Sequence, residues 1–282
     1  MHRTTETTRT FSFADDLPLS LALENHSGDV AVVLDAPEGT AEVTVTTRRP
    51  VDLSAVVATC ERGRVTVDVP ALTGADAAGG GGGRTFSLGR LSIGGRSEPA
   101  RVEVHLPPGA DVEVRTKVGD VVLQGVCGAT TISSGSGDLT VQDSGRLRAG
   151  TGSGDIRVGS LPGGSLTSGS GDVTVRSATG PDTLEVRTGS GDVDLGQMLT
   201  DVTVATGTGD ITCDHGRGSF AGRTGTGAVD VRLPRGIPTW LDLSSGLGTV
   251  RRDLDSVGAP EEGQPHLQVR VRTGTGDVRV HH

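Results

Sequence analysis

Tyrosine is absent from the 282 residues, tryptophan occurs once (Trp240) and phenylalanine four times. Aromatics at 2% exclude a core built around large rings. The interior has to be made of Val, Leu, Ala and Thr, which suits short stacked strands better than a bulky globule. Trp240 and Phe220 are expected to fill that interior. The same scarcity removes the aromatic platforms on which sugar chains stack, so a carbohydrate-active β-helix enzyme ranks last among the functional readings. Lysine is nearly missing as well: Lys117 is the single copy, and the remaining basic charge is arginine. Lys and Arg together number 26 against 35 Asp and Glu, giving a formal net charge of -9. That balance speaks against a nucleic-acid partner held through its phosphates.

Cysteine is also sparse. Cys60, Cys127 and Cys213 are odd in number and widely spaced, with no C-x-x-C pair. They read as buried or half-buried thiols of a reducing compartment and not as a disulfide framework. No run approaches the ~20 apolar residues of a membrane span. The opening "MHRTTETTRTFSFADDLPLS" lacks the apolar segment of a secretory signal. The expectation is a cytoplasmic protein with no direct membrane insertion, associated with the envelope only through a partner.

Enzyme signatures are missing too. There is no G-x-S-x-G elbow, Walker A sequence, H-E-x-x-H or dinucleotide-binding glycine fingerprint. Cys213, Asp214 and His215 are the right residue types for a thiol nucleophile or a metal site. They are adjacent on a strand end, however, where neighbouring side chains point to opposite faces. No catalytic residue, no cofactor and no small-molecule ligand is expected.

What the chain has in excess is glycine, 45 residues of it, and the glycines fall in a repeat. With the Asp of "GSGD" as origin, equivalent positions are Asp29, Asp120, Asp138, Asp155, Asp172, Asp192, Asp210, Ala228, Thr249 and Asp277. From 120 to 249 the intervals are 18, 17, 17, 20, 18, 18 and 21 residues. Glycine always precedes the origin. A hydroxyl lies four residues before it in nine of ten copies, Asn25 being the exception. Apolar pairs spaced by two flank the corner, such as Leu184/Val186 before it and Val193/Leu195 after it. Apolar residues two apart mean a strand with one face on a core.

Each unit therefore reads as strand, glycine corner, strand, loose connection. Such a unit buries its face only against its own kind. The expected fold is all-β: a single-stranded β-helix or solenoid-like stack of ~18-residue coils with Gly-Ser-Gly-Asp corners. An antiparallel β meander is the alternative, disfavoured because the Asn-Gly and Asp-Gly hairpin dipeptides are absent. Residues 1–73 are expected to be N-terminal strands capping the solenoid, 74–100 a Gly-rich flexible insertion loop and 101–282 the repetitive stack, in one continuous elongated domain. Residues 252–265 read as a second loop.

The candidate sites follow from the repeat. Gly135, Gly137, Gly152, Gly154, Gly169, Gly171, Gly189, Gly191, Gly207 and Gly209 are assigned to structural corners. Asp120, Asp138, Asp155, Asp172, Asp192 and Asp210 would stack ~5 Å apart, with neighbour repulsion of about 1–3 kcal/mol to be offset. A column of Ca²⁺ ions is one way to offset it. Too few oxygens per coil for six to eight ligands disfavour that, and a corner in which Asp accepts turn N–H groups is preferred.

The phrases "LSLALENHSGDVAVV", "RVEVHLPPGADVEVRTKVGDVVLQGVCGATTISSGSGDLTV" and the repeated "TGSGD" resemble the bacterial DUF4097 family from about residue 17 to the C-terminus. Its members are called candidate adhesins or β-strand-repeat proteins and are similar to auto-transporter adhesin-head domains. The resemblance implies a β-helix-like fold and a non-enzymatic role tied to the envelope and stress response, with no catalytic residues to carry over. The leading expectation is thus an adhesin-like binding or scaffold protein with a protein partner. Self-assembly through the solenoid ends is the alternative, because the final repeat "TGTGDVRVHH" shows no polar cap.

Overall fold

A computed structural model of the chain describes residues 6–73, 86–88, 91–93, 97–255 and 266–282. Most of the glycine-rich stretch at 74–100, and residues 256–265 of the second interruption, lie outside the described residues. Within the first, Phe86–Leu88 pairs antiparallel with Leu91–Ile93, and Ser97–Glu98 with Leu72–Thr73. Apart from the 3-10 turn Leu53–Ala55, every regular element among the described residues is a strand. The chain divides into two compact units, 1–125 and 126–282.

The first unit mixes strand directions. Thr40–Val51 lies antiparallel to both Glu6–Ala14 and Ala100–His105. Ala100–His105 then runs parallel to Val30–Val33, which runs parallel to Val121–Cys127. A second sheet places Ser20–Ser27 parallel to Asp111–Val118 and to Arg64–Val69, and Val57–Glu61 closes it antiparallel. Alternation of side chains puts Leu23, Val32, Val45, Val67, Val104 and Leu123 at 0–1% exposure. Fully burying a side chain of this size contributes about 1.5–3 kcal/mol. The unit's interior is aliphatic, as the shortage of aromatics requires.

The second unit is regular. Every strand pairing within residues 126–282 is parallel and joins like positions of successive coils. Leu166, for instance, pairs with Ala149 on one side and Val186 on the other. Parallel in-register pairing excludes the meander and makes each ~18-residue repeat one coil of a two-layered stack. Interval differences are absorbed in the connections, such as the turn between Val173–Thr179 and Leu184–Ser190. The apolar columns Ile156/Val158, Val173/Val175 and Val193/Leu195 are all 0–4% exposed.

The order of coils departs from the order of the chain. The last coil, Leu267–Thr275 with Val278–His281, lies between the coil of Ser219–Thr226 and the coil of Thr239–Leu247. The C-terminal strand is therefore interior, and the end position belongs to the earlier segment Thr239–Asp253. Phe220 is buried at 1%, as its place in the apolar column suggested, but Trp240 stands 51% exposed on that end coil. It aligns with the exposed Gln268 of the coil beneath, so strand alternation turns it outward, away from the column of Leu241 and Val269.

Backbone stacking is close enough to specify glycine at the corner. Gly171 has φ +146°, a region that side chains avoid, and a Cβ there would overlap the Gly154 carbonyl of the preceding coil. Gly109, at φ +81°, has open space instead. Gly171→Ala is expected to cost more than about 2 kcal/mol and Gly109→Ala about 1 kcal/mol, read from urea-unfolding midpoints. Equal losses would contradict the close-stacking account.

Candidate functional site: the corner columns and outer faces

Gly137, Gly154, Gly171, Gly191 and Gly209 share φ values of +140° to +146°. This turn swings one carbonyl and one N–H per coil out of the strand ladders. The hydroxyl four residues before the next origin takes the carbonyl: Ser168 Oγ donates to Gly154 O at 3.0 Å, Thr188 Oγ1 to Gly171 O at 3.2 Å and Thr224 Oγ1 to Gly209 O at 3.0 Å. The Asp carboxylate takes the N–H, and it takes it from the neighbouring coil. Asp155 N–H donates to Asp138 Oδ1 at 2.9 Å, Asp172 N–H to Asp155, Asp192 N–H to Asp172, Asp210 N–H to Asp192 and Ala228 N–H to Asp210 at 2.7 Å. In the first unit Asp120 N–H reaches Asp29 Oδ1 at 3.2 Å. The turn amide bound by each Asp is thus the corner amide of the next coil, a bond between coils that spacing within one repeat cannot show.

The other glycine column serves close approach. A Cβ on Gly152, Gly169, Gly189 or Gly207 would lie 2.5–2.6 Å from the carbonyl oxygen of the equivalent glycine one coil earlier, Gly135 being the one that faces Gly152. Like charges in the Asp column are partly offset by Arg157, whose guanidinium bonds Asp138 at 3.2 Å and Asp155 at 2.6 Å. Among the described residues no group of three or more His, Cys, Asp or Glu is arranged to hold a metal ion.

Outside the core the same register writes continuous rows. Thr140, Arg157, Thr174, Asp194, Thr212, Asp230 and Arg279 are neighbours in sequence across one sheet. They stand ~4.8 Å apart at strand spacing. Thr131, Arg148, Ser165, Glu185 and Thr203 form a similar row on the other sheet. Both rows are polar.

A profile of the Toastrack DUF4097 family matches residues 15–281. The chain belongs to the Toastrack DUF4097 family. Solved structures similar to this Toastrack chain include a candidate adhesin from Parabacteroides distasonis, at 10% identity and TM-score 0.50 over 96% of each chain. A candidate adhesin from Bacteroides fragilis follows at 10% identity and TM-score 0.45, covering 98% of this chain and 97% of the other. A candidate lipid-binding protein from Parabacteroides distasonis has 10% identity and TM-score 0.48 over 98% of each. At such identity the likeness is one of fold. No curated protein matches the Toastrack chain.

Cys213 and His215 lie two apart and both face inward, at 0% and 1% exposure, with the exposed Asp214 between them. Burial pushes the Cys213 thiol well up and the Cys127 thiol to about 11, so both are held protonated. All three cysteines are free, Cys60 being half-buried. The His215 ring packs on Phe220 at 5.8 Å between centroids, and neither ring nitrogen has a hydrogen-bond partner. Burial lowers its pKa from 6.5, against the opposing pull of the Gly218 backbone and of the Asp201 charge. The three adjacent residues therefore do not converge on one face.

Two outcomes follow. The unfolded imidazole takes up its proton near 6.5 and the folded one only at lower pH, so His215 costs stability as pH falls below 6.5 and is neutral above it. His215→Leu is expected to flatten that acid-side loss in denaturant midpoints measured from pH 7.5 to about 5; an unchanged slope would contradict it. Removing the inter-coil acceptor by Asp172→Ala is expected to cost about 1–2 kcal/mol, with Asp172→Asn milder because its carbonyl still accepts. Equal, negligible losses in both would show the corner bonds to be idle, and a melting temperature lowered by EGTA would show an ion ladder in their place.

Proposed function

We propose that this Toastrack protein is a non-enzymatic, adhesin-like binding protein whose parallel stack presents repetitive polar faces to a partner protein of the cell envelope. The observation that carries the reading is the row Thr140–Arg157–Thr174–Asp194–Thr212–Asp230–Arg279, one residue per coil at fixed spacing. Repeated, evenly spaced side chains let a partner make many similar weak contacts at once, a geometry that favours avidity over a single pocket. The residues suit that use: threonine both donates and accepts, and the row carries two Asp between two Arg, so the face discriminates by charge pattern without a strong field of one sign. Membership of the Toastrack family supports the reading, as do structural relatives described as candidate adhesins.

The test is saturable binding of the purified chain to bacterial envelope fractions, compared with a variant carrying Thr174→Gln, Asp194→Gln and Thr212→Gln. These side chains point outward, so melting is expected to be unchanged within the range of surface substitutions, about 0.5 kcal/mol. Binding is expected to fall at least tenfold, about 1.4 kcal/mol. Retained binding in the triple variant would place the partner elsewhere, and no saturable binding by the unmodified chain would contradict the reading.

A further inference from the structure

The outermost coil of the second unit is built like the others, yet no other described strand covers its outer side. Leu241 and Leu243 align with Val269 and Val271, which are 0% exposed, but are themselves half-exposed. Val250 aligns with Val278, also 0% exposed, and stands at 37%; Trp240 and Leu247 stand at 51% and 72%. Among the described residues no strand pairs with the outer edge of Thr239–Leu247 or of Val250–Asp253. A nine-residue edge with this much apolar surface, and with neither lysine nor proline in it, is a template for another strand.

We propose that a second copy of this chain covers the coil, through antiparallel pairing of Thr239–Leu247 with itself about a twofold axis at Leu243. The sequence of the strand is complementary to its own reverse in that register. Leu243 meets its copy and Leu241 meets Ser245 on the inward face, so the apolar column of Leu243 continues across the axis and Leu241 is covered. On the outward face Asp242 meets Ser244, which avoids a like-charge contact, and Trp240 lies over Gly246, where the absent side chain leaves room for the indole. Centring the pair on Asp242 instead would set two carboxylates face to face.

Charge on the second edge agrees in the corresponding register. Antiparallel pairing of Val250–Asp253 about Arg252 sets Arg251 opposite Asp253 in both directions, giving two ion pairs. Arg252 meets its own copy at the axis and is the one repulsive contact. It occupies the column filled by Val280 in the coil beneath, where it is exposed. The association closes on itself, because each copy uses its end coil once, and so gives dimers and not filaments. It is independent of whatever the outer faces bind.

The test is sedimentation velocity of the full chain over a wide concentration range, with the variants Leu243→Glu and Arg252→Ser. A reversible dimer is expected, weakened at least about tenfold by Leu243→Glu and tightened severalfold by Arg252→Ser. Leu243→Cys supplies an independent readout, since two copies of a residue on a twofold axis are opposed: a disulfide-linked dimer is expected on mild oxidation. A chain that stays monomeric at all concentrations, filaments in place of dimers, or no cross-link through Leu243→Cys would each overturn the proposal. So would a dimer unaffected by Leu243→Glu in a variant with wild-type melting.

Discussion

At every corner of the second unit the chain turns through a glycine at positive φ, and that turn removes one carbonyl and one N–H from the strand ladders. The carbonyl is part-buried, and leaving it without a partner costs about 1–3 kcal/mol; the N–H is largely exposed and exchanges water for a charged acceptor. A coil on its own has no means of meeting that cost. The neighbouring coil does: its hydroxyl reaches the freed carbonyl, and the preceding coil's carboxylate receives the freed N–H. The Ser/Thr column and the Asp column are thus two halves of one device, each completed by a different neighbour. This is why the polar columns of the repeat are as regular as its apolar ones, and why the unit is a stack and not a set of separable hairpins.

The arrangement also explains how carboxylates tolerate one another at strand spacing. Repulsion between neighbours at an exposed corner is on the order of 1 kcal/mol in water. A charge-assisted bond from a main-chain N–H contributes about 1.5–3 kcal/mol. The bond is the larger effect, and Arg157 reduces the repulsion further between Asp138 and Asp155. Where the column lacks its carboxylate, at Ala228, the corner still donates its own N–H to Asp210. Losing one link removes one bond and leaves the ladders on either side intact.

The period of the repeat, the inward pairs such as Val173/Val175 and the all-β class were legible in the sequence, because strand alternation and coil length are local properties. Two features were not. The partner of each Asp lies a whole coil away, so the local turn suggested an amide within the same corner. The placement of Leu267–His281 inside Thr239–Asp253 depends on which coil stacks on which, and equal periods carry no such order. Trp240 looked like core by residue type, but alternation sets it on the outward face, in line with the exposed Gln268. His215, by contrast, is turned inward by the same alternation: two residues on from the inward Cys213, it lies in the core beside Phe220.

In the second unit the interior is filled with aliphatic side chains and the corner groups bond one another from coil to coil. The central claim is that exposed corner amides are held by the carboxylate of the adjoining coil. Amide hydrogen exchange of Asp155, Asp172, Asp192 and Asp210, resolved by NMR, addresses it directly. Strong protection of these four amides, lost at Asp192 alone in Asp172→Ala, is the predicted result. Exchange at the rate of unstructured amides in the intact protein would contradict the account.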